Sequence, residues 1–474
     1  MPTASRATTD VPVFAAGDDG CTNPHVRTDG VCWRSKASRW IAVMLLGLSI
    51  WPCRAALDPV PRTSLDASLR CLLGVYQLPS GRHMALTGAD GQPRGLAYTL
   101  SDGRFGQLQE RSPGTFADGT VELRIAPCAS RSLHWRDGAS IELGRRVALP
   151  EEQVTFTSDG LELHGKLVRP LASPASALAV WIEGSNNNPS TDDSVWPYEL
   201  AMRGVAVFVY DKRGTGRSAG TPSSDVQVRA RDTAAALAAA RRLAPEIGSV
   251  GVVGASQGGW VAPLVPALAP LDFVVAAFAM AEGPVSQDQA VVRQQLKDAG
   301  VDATAHTAAD RLLTITERIV RSGMAQGLDE LEAFKAEFAG AAWLRAIQPR
   351  SYTGLFLQFP SATIRAQGPA LAQGLRFDFD PRPLIETMPP RQLWLLAGRD
   401  RQAPSAGTQA ILRQVQQARA DVDVVVFAKA DHGLIEPVER GMAFSPGVFE
   451  TTARWVTAGA LPPSGRTVFL PGRP

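Results

Sequence analysis

"IGSVGVVGASQGGWVAPL", residues 247–264, decides how the rest of the chain is read. Its first half is an uncharged run of Val and Gly, bounded and short, as in a buried strand. One polar residue, Ser256, then stands among the glycines of "GASQGG" (254–259), and the helix-capable "GWVAPLVPAL" follows. A G-x-S-x-G pattern between strand and helix is that of a nucleophile elbow. The turn is sharp and brings backbones close, so the flanking positions must lack side chains while the serine hydroxyl is lifted out. Ser256 would stand at a helix start, where free N–H groups favour developing negative charge. Pro263 and Pro266 make that helix irregular.

Outward from this strand the chain repeats the theme. "ALAVWIEG" (177–184), "GVAVFVYD" (204–211), "DFVVAAFAM" (272–280), "RQLWLLAG" (391–398) and "VDVVVFA" (422–428) are continuous apolar runs. Helical segments separate them, the plainest being the alanine-rich "DVQVRARDTAAALAAARRLAP" (225–245). Such strands imply an α/β fold: a mostly parallel sheet covered by helices on both faces. The hairpin-like "QVTFTSDGLELHGKLVRP" (153–170) leads into it. Between residues 280 and 391 the spacing breaks, and "QAVVRQQLKDAG", "DRLLTITERIVRSGMAQG" and "DELEAFKAEFAGAAWLRAI" carry helical periodicity. This insertion, about 285–390, is expected to form a helical cap over a site; the alternative is an extra packing layer with no substrate role.

Residues 57–150 differ. Turn pairs such as "PSGRH", "ADGQP", "SDGRF", "ADGTV" and "RDGAS" punctuate short stretches such as "MALTG", "GLAYTL", "VELRI" and "SLHWR". They predict a small antiparallel sheet or barrel. Residues 1–56 read as a signal-peptide region: Arg34, Lys36 and Arg39 precede "WIAVMLLGLSIW" (40–51), and "CRAAL" follows. The apolar stretch is shorter than the roughly 20 residues of a spanning helix, so cleavage near Ala55 or Ala56 and export to the periplasm or outside are expected, leaving no membrane span. Domain 3 of this division is residues 151–474, the α/β part.

Of five cysteines, Cys71 and Cys128 follow the leader. An oxidising compartment favours a disulfide between them over two buried free thiols. Six of the 48 Lys/Arg and four of the 46 Asp/Glu lie in the first 56 residues, so the remainder is balanced. That balance gives no support to nucleic-acid binding, which normally shows as a basic face. His and Cys are sparse and show no ligand spacing, so no metal and no organic cofactor is implied.

A serine hydroxyl needs a base, usually His, held by a carboxylate, and in this architecture the order is Ser, acid, His. Only His306 and His432 follow Ser256. His306 lies in the polar "DATAHTAAD" of the insertion, as a surface histidine would, whereas "FAKADHG" places His432 at the C-terminal end of the last strand, where ligands gather in open α/β sheets. Asp400 follows the preceding strand in "LWLLAGRDRQAP". Asp378 and Asp380 come before that strand, and Asp431 adjoins the histidine too closely to hold its ring from behind. Acyl transfer also needs an oxyanion hole. The Gln257 N–H, next to the nucleophile, is one expected donor, and the Ser185 N–H of "WIEGSNNNPSTDD" the other, with Gly184 freeing the backbone.

"YDKRGTGRSAG" (210–220), "GASQGGW" (254–260), "LAGRDRQAP" (396–404) and "ADHG" (430–433), in this order, resemble the α/β-hydrolase superfamily, most closely its exported bacterial esterase and acyl-peptidase-like members. The resemblance covers roughly 151–460, while "LLGVYQLPSGRHMAL" is similar to β-domains appended to other exported serine hydrolases. It implies that "YDKRGTGRS" shapes a turn, with Asp211 and Arg213 structural, and that Glu183 stands where many relatives carry His. The expected activity is hydrolysis of small carboxylic esters through an acyl-enzyme on Ser256. The alternative is an exported peptidase or acyl-peptide hydrolase acting on short peptides, although residues 57–150 are too few for the β-propeller of prolyl oligopeptidase relatives. A non-catalytic binding protein would be expected to lack a triad member, and none is missing.

Overall fold

The computed structural model describes residues 65–90, 92–119, 121–171, 175–459, 461 and 468–469; the leader read at 1–56 lies outside them. Eight short strands come first: β1 (Gly74–Gln77), β2 (His83–Ala89), β3 (Gln92–Leu100), β4 (Arg104–Ser112), β5 (Thr115–Asp118), β6 (Val121–Ile125), β7 (Ser132–Asp137) and β8 (Ser140–Arg146). Each pairs antiparallel with its sequence neighbour, and β8 returns to β1 through Tyr76↔Arg146, so the sheet closes into an up-and-down barrel. Closure removes the exposed edges that short strands otherwise present. Alternating side chains point inward, and Leu86, Leu96, Leu108, Phe116, Leu123 and Trp135 fill the interior. Leu69, Leu72 and Leu73 join this core from the preceding turn, which the Cys71–Cys128 disulfide ties to the segment after β6.

The second sheet is open. Its strands are β9 (Glu151–Ser158), β10 (Leu161–Val168), β11 (Ala177–Ile182), β12 (Val205–Tyr210), β13 (Val250–Ala255), β14 (Phe273–Ala277), β15 (Arg391–Ala397) and β16 (Val422–Phe427). They lie in the order β9-β10-β12-β11-β13-β14-β15-β16, with β11 to β16 parallel and the β9–β10 hairpin antiparallel at one edge. β19 (Val468–Phe469) pairs antiparallel with β16 at the other edge. The uniformly apolar strands follow from burial on both faces. Leu178, Val180 and Ile182 of β11 join one core with Ala230 and Leu237 of the helix Val226–Leu243. Ala179 and Trp181 point the other way, into a core with Trp196, Phe449 and Trp455.

After β11 the chain builds β12 on one side and then crosses to β13 on the other. This reversal is a switch point, and the crevice beyond the strand ends there is where such sheets bind ligands.

The insertion folds as helices Pro284–Asp298, Ala303–Arg321, Leu328–Glu337, Tyr352–Gln358 and Ser361–Leu371 around their own core of Val292, Leu312, Ile319, Phe334 and Tyr352. The last helix of the expected stretch, Arg382–Thr387, instead sends Ile385 into the core behind β15 and β16.

One feature departs from the division at residue 150. β17 (Ile435–Val438) and β18 (Gly441–Phe444) form a hairpin directly after His432, and β18 pairs with barrel strand β4 through Met442↔Phe105 and Ala443↔Arg104. The Phe105 and Phe444 rings meet at 5.3 Å. A late segment of the α/β part thus belongs, by hydrogen bonding, to the first sheet.

Candidate active site

β13 ends at Ala255, and Ser256 takes φ 52°, a region costly for a residue with a side chain. Two backbone bonds hold it there: Ser256 N–H donates to Ala277 at 2.9 Å, and Ser256 C=O accepts from Gly259 at 2.9 Å. The glycines are required by contact. A Cβ at Gly254 would run into the Gly258 carbonyl, and one at Gly258 into the Ile182 carbonyl of the neighbouring strand. The helix after the serine is shorter than expected: a single turn, Gly258–Val261, passes into the 3-10 segment Ala262–Ala267, because Pro263 and Pro266 have no N–H to donate. Little macrodipole can accumulate, so stabilisation of negative charge at Ser256 falls to individual donors.

The structure brings the three distant side chains together. His432 Nε2 lies 3.0 Å from Ser256 Oγ, and His432 Nδ1 lies 2.9 Å from Asp400 Oδ2. Asp400 is buried and also accepts from the Gln402 and Ala403 N–H groups at 2.8 and 2.7 Å, which fixes its carboxylate plane. Asp431 braces the same corner: its Oδ1 accepts from the N–H groups of His432 at 2.8 Å and Arg401 at 3.1 Å, locking the two loops to one another. The Phe278 ring, at φ 42°, stands edge-on to the His432 imidazole with centroids 5.1 Å apart. His306 sits on the helix Ala303–Arg321, away from this cluster. Asp378 pairs with Arg376, and Asp380 accepts from the Arg382 N–H, so neither joins it.

Across from the elbow, a Cβ at Gly184 would lie 3.3 Å from Ser256 Cβ, so the loop after β11 runs beside the serine. Among the described residues the N–H groups of Ser185 and Gln257 have no protein acceptor, whereas the Gly184 N–H donates to Glu183 Oε1 at 2.9 Å. Glu183 also accepts from Trp181 Nε1 at 3.1 Å and Asn186 Nδ2 at 3.2 Å, and so shapes the loop. Asp211 fastens that loop to the turn after β12, accepting from Thr191 N–H and Oγ1 and from the Arg217 N–H. Arg213 bonds Asp232 and Asp159. Both side chains hold the scaffold, with no contact to Ser256.

These groups open onto a cavity of about 240 Å³ whose far wall comes from the insertion. Trp260, Phe278, Val291, Tyr352 and Phe377 give it an apolar lining, while Asp288 and Arg350 add charge-bearing groups. Asp288 is fully buried, accepts from Thr353 N–H at 3.0 Å and Oγ1 at 2.6 Å, and is pushed up to about 7 by desolvation. None of these insertion residues is marked in the sequence, since helical periodicity shows which face is apolar and not what it covers. Two buried basic side chains, Lys212 and Arg229, also stand beside the elbow. Arg229 had a signal: it shares the inward stripe of its helix with Val226, Ala230 and Thr233. Among the described residues no group of His, Cys, Asp and Glu is arranged to hold a metal ion, and no helix is long and apolar enough to cross a membrane.

Among solved structures, the chain is similar to an esterase of Pyrococcus furiosus, at 14% identity over 60% of this chain and 84% of that one, TM-score 0.38. It is similar to the acylaminoacyl peptidase of Pyrococcus horikoshii at 13% identity, over 76% of this chain and 52% of that one, TM-score 0.41. The proline iminopeptidase of Mycobacterium smegmatis matches at 14% identity over 64% and 97%, TM-score 0.36. A search of curated proteins finds no match. The family model described as the alpha/beta hydrolase family matches residues 163–443. That span holds the switch point, the elbow and the two loops that meet at it, and the chain belongs to the alpha/beta hydrolase family.

Proposed function

We propose that this hydrolase cleaves carboxylic esters through an acyl-enzyme on Ser256. The observation that carries the reading is the unbroken line from Asp400 through His432 to Ser256, with 2.9 and 3.0 Å between successive partners. His432 Nε2 takes the hydroxyl proton as Ser256 Oγ attacks the acyl carbon, and passes it to the departing alkoxide. Asp400 holds the ring with Nδ1 protonated and stabilises the imidazolium. The N–H groups of Ser185 and Gln257 receive the oxyanion. Water then enters, His432 takes its proton, and the acid leaves with the serine regenerated. The cavity admits a small ester with an apolar acyl or alcohol group.

The same groups would cleave amides, and an exported peptidase of short peptides is the second reading. The closed barrel favours the ester: it is filled by its own side chains and offers no chamber to sieve peptides. The Cys71–Cys128 disulfide and the basic, apolar leader together support export to the periplasm or beyond. Turnover of p-nitrophenyl esters of two to eight carbons is expected to exceed that of aminoacyl p-nitroanilides. Faster anilide cleavage would reverse the assignment.

A further inference from the structure

Between Asp211 and Arg213, which hold the scaffold, the motif "YDKRGTG" carries a third side chain, Lys212, that reaches the loop after β11. Lys212 follows β12, is 7% exposed, and sends its Nζ to the Gly184 carbonyl at 2.8 Å and to the Asn186 carbonyl. Those carbonyls bracket Ser185. Gly184 C=O and Ser185 N–H belong to one planar trans peptide and point in opposite directions. β12 lies on one side of β11 and β13 on the other. A carbonyl held toward Lys212, on the β12 side, therefore turns the Ser185 N–H toward the β13 side, where Ser256 stands.

Arg229 makes a matching brace. Its Nη1 donates to Gln257 Oε1 at 2.5 Å and its Nη2 to the Glu183 carbonyl, joining the residues beside both oxyanion donors. Among the described residues neither basic side chain forms a salt bridge with a carboxylate, and Arg229 Nε has no hydrogen-bond partner. Buried cations that serve only the fold are normally paired, because an unpaired one is strongly disfavoured. Here their acceptors are peptide and amide oxygens that frame one spot.

We infer that Lys212 is a positioning residue of the oxyanion hole, aligning and polarising the Gly184–Ser185 peptide so that its N–H meets the charge that develops on the acyl oxygen. Burial, and then the nearby Arg229, hold the Lys212 amine well below its ordinary range. The amine can donate to both carbonyls with or without its third proton, and an oxyanion forming beyond the peptide opposes the downward shift. The weak helix dipole at Ser256 leaves this role open to be filled.

The inference rests on Ser256 being the acyl-forming nucleophile, and the test keeps the two apart. Lys212→Met and Lys212→Gln are compared with wild type on p-nitrophenyl butyrate, on an alkyl trifluoromethyl ketone that forms a tetrahedral adduct, and on butyrate as a ground-state competitor. Expected is a fall in kcat of about 10- to 100-fold, smaller than the roughly 10²–10³ lost when an oxyanion donor is removed outright. KM and butyrate affinity should stay near wild type, while affinity for the ketone falls by the same factor as kcat. A fluorophosphonate should still label Ser256 in both variants. Folded variants with unchanged kcat and ketone affinity would overturn the inference and leave the nucleophile intact. Loss of folding in both variants, seen by circular dichroism, would also overturn it by assigning Lys212 to stability. Wild type that fails to label would instead remove the reading of Ser256.

Discussion

The two sheets of this protein solve the edge problem in opposite ways. The barrel pairs sequence neighbours, closes on itself where β8 meets β1, takes on β18 at β4, and fills its interior with Leu, Phe and Trp. Its edges are paired and its lumen is filled by its own side chains. The nine-stranded sheet stays open, crosses over between β12 and β13, and must leave a gap beyond the strands at that crossing. Each of its parallel strands brings a group toward Ser256 at its C-terminal end: Gly184 after β11, Lys212 after β12, Ser256 itself after β13, Phe278 after β14, Asp400 after β15 and His432 after β16. Chemistry follows from topology here, and the barrel contributes by holding what it touches. Its grip reaches the site through β17–β18, which starts within three residues of His432 and ends paired to β4.

The sharpest way to break this contrast is to remove a group from the open sheet. His432→Ala should lower kcat/KM for p-nitrophenyl esters by about 10⁴-fold or more with little change in melting temperature. Asp400→Asn should come close to it, since the ring would lose the partner that sets its tautomer. A loss below tenfold for either would detach the chemistry from these strand ends.

The barrel should answer in stability instead. Replacing Cys71 and Cys128 with Ser frees a segment 57 residues apart in sequence. It should destabilise the protein by roughly 2–4 kcal/mol, read from urea melts, while esterase activity of the folded fraction is kept. Equal loss of activity and stability would mean that barrel and site unfold as one.

A finer probe is the insertion. Asp288, raised to about 7 by burial, keeps its proton in the folded protein over a range where the unfolded chain has released it. The folded state then binds more protons, so stability falls as pH rises from about 4 to 7 and levels above that. The slope from this one group is at most about 1.4 kcal/mol per pH unit. Asp288→Asn should flatten that part of the wild-type curve in thermal melts recorded across this range; an unchanged slope would place the proton elsewhere.

The smallest effect tests the bridge between the sheets. Phe105→Ala removes the barrel's ring from Phe444, worth about 0.5–1.5 kcal/mol. If the hairpin steadies His432, kcat should fall by about two- to tenfold with KM held. A change confined to melting temperature would reduce the hairpin to packing.

What could be read in the sequence follows the same division. β11 to β16 were visible because strands buried on both faces are almost wholly apolar, as in "ALAVWI" and "VAVFVY", with Arg391 and Asp423 near strand starts as the exceptions. The three candidate side chains stand out in the sequence because each follows such a strand and only two histidines come after Ser256, and the structure places them within hydrogen-bond reach of one another. For residues 57–150 the sequence left sheet and barrel open, because Tyr76 and Arg146, the pair that closes it, carry no mark of pairing, and neither do Met442 and Phe105. For the same reason the boundary at residue 150 missed the hairpin that crosses it. The irregularity that Pro263 and Pro266 foretold for the elbow's helix takes the form of a single turn passing into a 3-10 segment. Lys212 was hidden in a motif that reads as turn chemistry, and its role depends on which side of β11 each neighbour lies.

The most direct test is the site of covalent modification. Intact-mass and peptide analysis after treatment with a fluorophosphonate should show a single adduct on Ser256 in wild type, and none in Ser256→Ala. An adduct of the same yield in Ser256→Ala, or a modified peptide that does not contain residue 256, would contradict the assignment of this serine as the nucleophile.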